Sequence, residues 1–165
     1  MIEKEISIKF CEYQSIDALP NEDKQLMLEA SKACKNAYSP YSNFKVGAAV
    51  KCNDGVIIGG NNQENAAYPS GLCAERVALF TASAQKPGVV IKSIAITVDS
   101  GKANDLMVAP CGACRQVIAE YELRQGSKIE ILFSSETGRI IKVKGISSLL
   151  PFTFSSNNLP EKNIK

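Results

Sequence analysis

The stretch CAERVALFTASAQKPGVVIKSIAITV, residues 73–98, changes periodicity part-way along. Cys73 to Ala84 has helical spacing, with Val77, Phe80 and Ala84 on one face, and Ile91 to Val98 reads as a buried strand. Downstream the alternation repeats. Cys111 to Leu123 reads as a second helix and Lys128 to Phe133 as another core strand. Glu136-Thr137-Gly138 then turns the chain into a further strand, Arg139 to Lys144. Upstream, Phe44 to Lys51 and Val56 to Gly60 read as a hairpin closed by Asn53-Asp54-Gly55, whose Asp-Gly pair suits a tight turn. Before the hairpin, Pro20 opens a helix in which Leu26, Ala30, Ala33, Cys34 and Ala37 recur at helical spacing, stopping ahead of Ser39-Pro40. Nearer the N-terminus, Ile6, Ile8 and Phe10 alternate with polar residues from Glu5 to Glu12, the pattern of a half-buried strand.

A hairpin followed by helix–strand–helix–strand–strand argues for one mixed sheet with helices on its faces. The expected fold is therefore α/β. It is a three-layer α/β/α arrangement around a mixed five-stranded sheet, with an extra N-terminal edge strand. Residues 1–20 read as an extension, 21–155 as the domain, and 156–165 as a loose polar tail.

The chain's 165 residues suffice for one core without disulfide staples. Its composition, 45% apolar and 22% charged, is that of an ordinary soluble domain. A net charge of +2, with no run of Lys and Arg, argues against nucleic acid and favours a small neutral substrate. No segment approaches the roughly 20 apolar residues that span a bilayer, and Met1 to Phe10 lacks a signal peptide's apolar core. A cytoplasmic location without membrane contact is expected. There the six cysteines stay reduced, so close spacing reads as metal binding or catalysis. The chain has no histidine, so any metal chemistry rests on Cys, Asp and Glu.

Pro110-Cys111-Gly112-Ala113-Cys114 opens a helix and puts two sulfurs on one side of a turn, within reach of one metal ion. Gly112 would let the backbone approach that metal. Two buried cysteines packing as small hydrophobes is the plain alternative. Cys73-Ala74-Glu75-Arg76 opens the other helix and offers a third thiolate. Cys11, Cys34 and Cys52 have no partner spacing and read as core or edge residues. Three ligands leave the open position of a catalytic zinc, whereas structural sites are closed by four. Glu75 lies two positions after Cys73, so both address one metal only if Cys73 sits at a still non-helical helix start. A carboxylate there could carry a proton from a zinc-bound water to a substrate. The helix dipole also favours an acidic residue at that position. Three thiolates over-neutralise Zn²⁺. Two helix N-termini, each about half a charge, oppose this, and Arg76 could offset more by donating to the thiolates. A solvent-facing salt bridge is its other reading.

With these motifs in place, the chain resembles the zinc-dependent cytidine deaminases of the homotetrameric three-cysteine class, whose signature is Cys or His, then Glu, then Pro-Cys-x-x-Cys. The likeness extends through Tyr41-Ser42-Asn43-Phe44-Lys45-Val46-Gly47-Ala48, Asn62-Gln63-Glu64-Asn65-Ala66-Ala67-Tyr68-Pro69 and Leu149-Leu150-Pro151. It implies one zinc per subunit on Cys73, Cys111 and Cys114, with water attacking C4 of cytidine or deoxycytidine. Glu75 would move that water's proton to N3 and would then, in a second transfer, protonate the departing amine. It implies further that Asn62 and Glu64 hold the ribose hydroxyls. Phe44 would be the wall beside the base, although by periodicity it could be core. Tyr68 would lie in the substrate site, and backbone groups near Ala74 and Cys111 would orient the base. Phe154 would reach a neighbouring subunit's site, a role Phe152 could also fill. Residues 1 to about 20 have no counterpart in shorter members. A nucleic-acid-editing relative would be expected to use a His ligand and a basic channel, and an antibiotic-nucleoside deaminase to lack the Asn62–Asn65 motif. A non-catalytic zinc protein would need a fourth ligand.

Overall fold

Four hydrogen-bonded turn and cap signals punctuate the chain and set where its elements stop. In the computed structural model, which describes residues 1–103 and 105–160, Pro20 is the N-cap of a helix carrying Glu22 and Asp23 in its first turn. Gly55 takes φ 85 in the hairpin turn and donates to the Cys52 carbonyl. Gly126 closes another helix in the left-handed conformation at φ 64, the usual glycine C-cap. Gly138, at φ 95, makes the last hairpin.

The resulting elements are β1 (Phe10–Tyr13), α1 (Asn21–Cys34), β2 (Lys45–Cys52), β3 (Ile57–Asn61), α2 (Ala74–Gln85), β4 (Ile91–Asp99), α3 (Gly112–Gln125), β5 (Glu130–Ser134) and β6 (Ile140–Lys144). They build one six-stranded sheet in the order β1-β6-β5-β4-β2-β3. Only β4 and β5 run parallel, joined by the α3 crossover that parallel pairing demands. The five expected strands are therefore present, and the N-terminal edge strand makes six.

Alternation along β4 defines the layers. Ala95 points to the side where Leu26, Met27 and Ala30 of α1 pack, together with Ala49, Leu132 and Ile140. Ile94 and Ile96 point to the opposite side, into a larger cluster with Ala74, Ala78, Leu79 and Ala82 of α2 and Ile118 of α3. Two glycines let the helices sit close to the sheet. A Cβ on Gly47 would fall 2.1 Å from the Ala30 carbonyl oxygen, and one on Gly60 would fall 2.4 Å from the Ala78 nitrogen.

Three expectations are corrected. The core face of α2 is not Val77, Phe80 and Ala84: Phe80 is 43% exposed and Ala84 is exposed, while Ala74, Ala78, Leu79 and Ala82 are buried. The alanines win because only small side chains allow the close approach to Gly60. The N-terminal strand is short. Pairing with β6 covers only Phe10–Tyr13, so residues 1–9 lie outside any strand, and Ile6, Ile8 and Phe10 are exposed rather than half-buried. The helix α1 ends at Cys34, and hydrogen-bonded turns carry Asn36 and Ala37 onward. In the tail, Ser156–Asn158 forms a 3-10 turn with a capping box between Ser155 and Asn158. Residues 161–165 of that tail lie outside the described residues.

Candidate active site

Val108 and Ala109 of the segment after β4 and the N-termini of α2 and α3 converge beside the central strands β2 and β4. Cys73 is the N-cap of α2 with extended backbone (φ −72, ψ 151), the non-helical start that its spacing from Glu75 required. Cys111 is likewise the extended N-cap of α3, and Cys114 lies in that helix's first turn. The three sulfurs lie within 4.8 Å of one another, with Cys73 Sγ and Cys111 Sγ 3.8 Å apart. Tetrahedral Zn–S bonds of about 2.3 Å place neighbouring sulfurs about 3.8 Å apart, so the spacing fits one zinc ion. No fourth Cys, Asp or Glu joins the group among the described residues. Cys34 and Cys52 are buried elsewhere and Cys11 is exposed on β1.

The electrostatics suit a thiolate at Cys73, whereas the hydrogen bond to Cys73, then burial, push the Cys114 thiol up. Hydrogen bonding from the Cys114 thiol, aided by Arg76 and Cys111, holds Cys73 well below the ordinary thiol range against the opposing effect of burial. Arg76 turns inward, its Nη2 lying 3.7 Å from Cys73 Sγ and 3.5 Å from the Gly71 carbonyl oxygen. Its Nε is buried without a hydrogen-bond partner among the described residues, which leaves a donor beside the thiolate cluster. The dipoles of α2 and α3 add positive potential at their N-termini. Glu75 is 4% exposed. Burial pushes its carboxyl above the ordinary value and the Cys73 charge adds to the push, while its own main-chain N–H and the Cys114 thiol pull the other way.

A cavity of about 750 Å³ opens over this group. Cys73, Cys111, Glu75 and Arg76 line its floor, and Phe44, Asn62, Glu64 and Tyr68 line its walls. Phe44 is half-buried against the cavity, not part of the core. Asn62 Nδ2 donates to the Phe44 carbonyl at 2.9 Å and its Oδ1 accepts from the Val46 N–H at 2.8 Å. One amide hydrogen and one lone pair therefore stay available. Glu64 accepts from the Tyr41 N–H at 2.9 Å, the Ser42 N–H at 3.3 Å and the Ser42 hydroxyl. The Ser42 hydroxyl, then the Tyr41 N–H, hold its carboxyl below the usual range. Tyr68 meets Tyr41 edge to face, with centroids 6.1 Å apart.

Three sequence-derived residues lie outside the cavity wall, the first being Cys114, buried in the first turn of α3. Ala74 is fully buried, and its carbonyl faces Gly60. Phe154, 62% exposed, does not line its own chain's cavity, and its carbonyl is held by Gln116 Nε2 at 2.8 Å; Phe152 is 85% exposed. A Cβ on Gly112 would meet no described atom within 4 Å beyond its chain neighbours and its own helix backbone. Sequence reasoning did not single out Ser42, Val108 or Ala109, nor the clamp made by Arg115. Arg115 donates through Nε to the Pro110 carbonyl and through Nη1 to the Leu149 carbonyl, both at 2.8 Å, and so fixes the chain just before Cys111. Only the arginine beside Pro-Cys-x-x-Cys hinted at it.

The family model for the "Cytidine and deoxycytidylate deaminase zinc-binding region" matches residues 20–126. The chain belongs to the cytidine deaminase family. A cytidine deaminase of Sporosarcina psychrophila is 40% identical over 137 residues, covering 82% of this chain and 93% of the relative. One from Halalkalibacterium halodurans is 39% identical over 138 residues, covering 83% and 98%. The crystal structure of cytidine deaminase from Burkholderia pseudomallei superposes with a TM-score of 0.69 at 41% identity, over 79% of this chain and 97% of that one. The three-cysteine cluster of this family member lies within the matched zinc-binding region.

Proposed function

We propose that the protein hydrolyses free cytidine and 2'-deoxycytidine to uridine and 2'-deoxyuridine with release of ammonia, serving pyrimidine salvage in the cytoplasm. One observation carries this reading. Three sulfurs within 4.8 Å of one another, two of them in the cavity lining, gather beside a buried carboxyl that also lines it, and no fourth protein ligand joins them among the described residues. Cys73, Cys111 and Cys114 would hold one zinc ion per subunit, which when bound would supply the Lewis acidity that brings a water's pKa towards about 7.

The chain's own residues do the rest. Glu75 accepts the attacking water's first proton and passes it to N3 of the base; it then takes the remaining proton from the hydroxyl added at C4, as the C4 carbonyl forms, and delivers it to the departing amine. Water and cytidine thus become uridine and ammonia with no other reactant. Burial favours this shuttle, because a carboxyl pushed above its usual pKa holds and releases a proton more readily near neutrality. Phe44 flanks the base, and the unspent hydrogen-bonding capacity of Asn62 and Glu64 suits a sugar diol. Main-chain groups at Ala74 and Cys111 orient the base's polar edge, and Tyr68 closes the outer wall. Phe154 completes a neighbouring subunit's cavity in a homotetramer, consistent with its exposure. Sedimentation of the active protein as a monomer would remove that part of the proposal.

The test is Glu75→Gln, which keeps shape and removes the proton carrier. Turnover of cytidine falls by about 10²–10⁴-fold, while zinc content and melting temperature hold. A variant as active as wild type would exclude Glu75 as the shuttle.

A further inference from the structure

The peptide unit carrying Phe44 is held from both sides by the residues facing the sugar end of the cavity. Its carbonyl accepts directly from Asn62 Nδ2 at 2.9 Å. Its N–H donates to Ser42 Oγ at 3.0 Å, and that same hydroxyl donates to Glu64 Oε1. Glu64 Oε2 accepts the main-chain N–H groups of Tyr41 and Ser42. The loop making these contacts is tightly shaped. Asn43 adopts φ 53 and its N–H returns to the Ser39 carbonyl at 3.0 Å. At the other end, Tyr38 and residues 62 and 64 exchange main-chain hydrogen bonds, at 3.0 Å from the Tyr38 N–H and 2.9 Å to its carbonyl.

We infer that Ser42 is a positioning residue that couples the Glu64 carboxylate to the Phe44 ring, so that engaging a sugar hydroxyl at Glu64 also sets the wall beside the base. This rests on the proposed nucleoside reading of the cavity and adds to it a source of selectivity. A hydroxyl both donates and accepts, and Ser42 uses both functions at once, towards carboxylate and peptide N–H. Alanine breaks both links. It leaves the Phe44 N–H without its partner and leaves Glu64 held only by main-chain donors. Threonine keeps both functions, and the exposed position of Ser42 leaves room for the added methyl.

The consequence is that sugar hydroxyls improve the chemical step as well as binding, since binding energy far from the reacting carbon is used to place the base. The test compares cytidine with 2',3'-dideoxycytidine in wild type, Ser42→Ala and Ser42→Thr, recording kcat and KM separately, with circular dichroism as the folding check. Wild type prefers cytidine in both parameters. Ser42→Ala reduces that preference by about tenfold or more, the worth of one charge-assisted hydrogen bond, with little change on the dideoxynucleoside. Ser42→Thr restores it. An equal loss on both nucleosides, or no loss on either, overturns the coupling while leaving the deaminase reading intact. Wild-type protein inert towards both nucleosides overturns the deaminase reading and the coupling with it.

Discussion

Gly60 sits on β3 directly under the helix that presents Cys73 and Glu75, and replacing it with alanine tests how tightly the site depends on that contact. An added Cβ would lie 2.4 Å from the Ala78 nitrogen, 2.8 Å from the Ala74 carbonyl oxygen and 2.9 Å from the Ala78 Cα. All three are main-chain atoms, so no rotamer change relieves the overlap. Restoring ordinary contact requires α2 to retreat by about 1 Å, and overpacking of this kind costs about 3 kcal/mol. For a chain of this size about 3 kcal/mol corresponds to a fall of about 6–12 °C in melting temperature. The same retreat carries Cys73 about 1 Å away from Cys111 and Cys114, whereas zinc–ligand distances tolerate about 0.2 Å. Gly60→Ala therefore loses zinc affinity along with stability. Gly59 is the internal control. Its added Cβ would meet only the Ala33 methyl, at 3.3 Å, and the Ala48 carbonyl oxygen, at 3.9 Å. Gly59→Ala should cost under about 1 kcal/mol, the range of a mild packing adjustment. Thermal unfolding followed by circular dichroism, with zinc competition against a chelating indicator, reads both effects. Gly60→Ala melting within about 2 °C of wild type with unchanged zinc affinity would refute the close-packing argument.

Arg76→Ala removes a donor to the Cys73 sulfur and lowers zinc affinity by about 10–100-fold in chelator competition, the usual effect of losing a group that supports a metal ligand; unchanged affinity would return Arg76 to a packing role. Lys142→Met strands the buried Asp23 carboxylate that Lys142 meets at 2.7 Å and costs about 1–3 kcal/mol in urea unfolding near neutrality. Burial pulls the Lys142 pKa down, but its hydrogen bonds to Asp23 and Glu130 outweigh this and leave it raised. A raised lysine pKa stabilises fully below the ordinary value of 10.5 and loses that contribution as pH climbs past the folded value. On the alkaline side, the gap between wild type and Lys142→Met should therefore narrow only once pH passes that folded value.

The three-cysteine cluster was legible because its spacing and the helix starts that present it are both local properties of the sequence. Cys73, Cys111 and Cys114 needed only two helix N-termini brought together, and Cys73 sits at the extended start that Glu75 two residues later demanded. The core face of α2 was not legible in the same way. That helix carries two apolar stripes, and the one with the larger side chains, Val77 and Phe80, attracted the reading. Which stripe is buried depends on Gly60, a residue on another element. The clamp on Glu64 was hidden for a related reason. Two of its three donors are main-chain N–H groups 22 and 23 residues earlier, and backbone donors leave no trace in residue type. Alternation at residues 5–12 identified an extended segment but not where its partner β6 ends, so only Phe10–Tyr13 pair.

The most direct test of the account is ammonia release from cytidine by purified, zinc-loaded protein, measured together with uridine and repeated after chelation and zinc readdition. The account predicts one ammonia per uridine, loss of both on chelation, and recovery with zinc. Folded protein that holds zinc at the three cysteines and releases no ammonia from cytidine would contradict it.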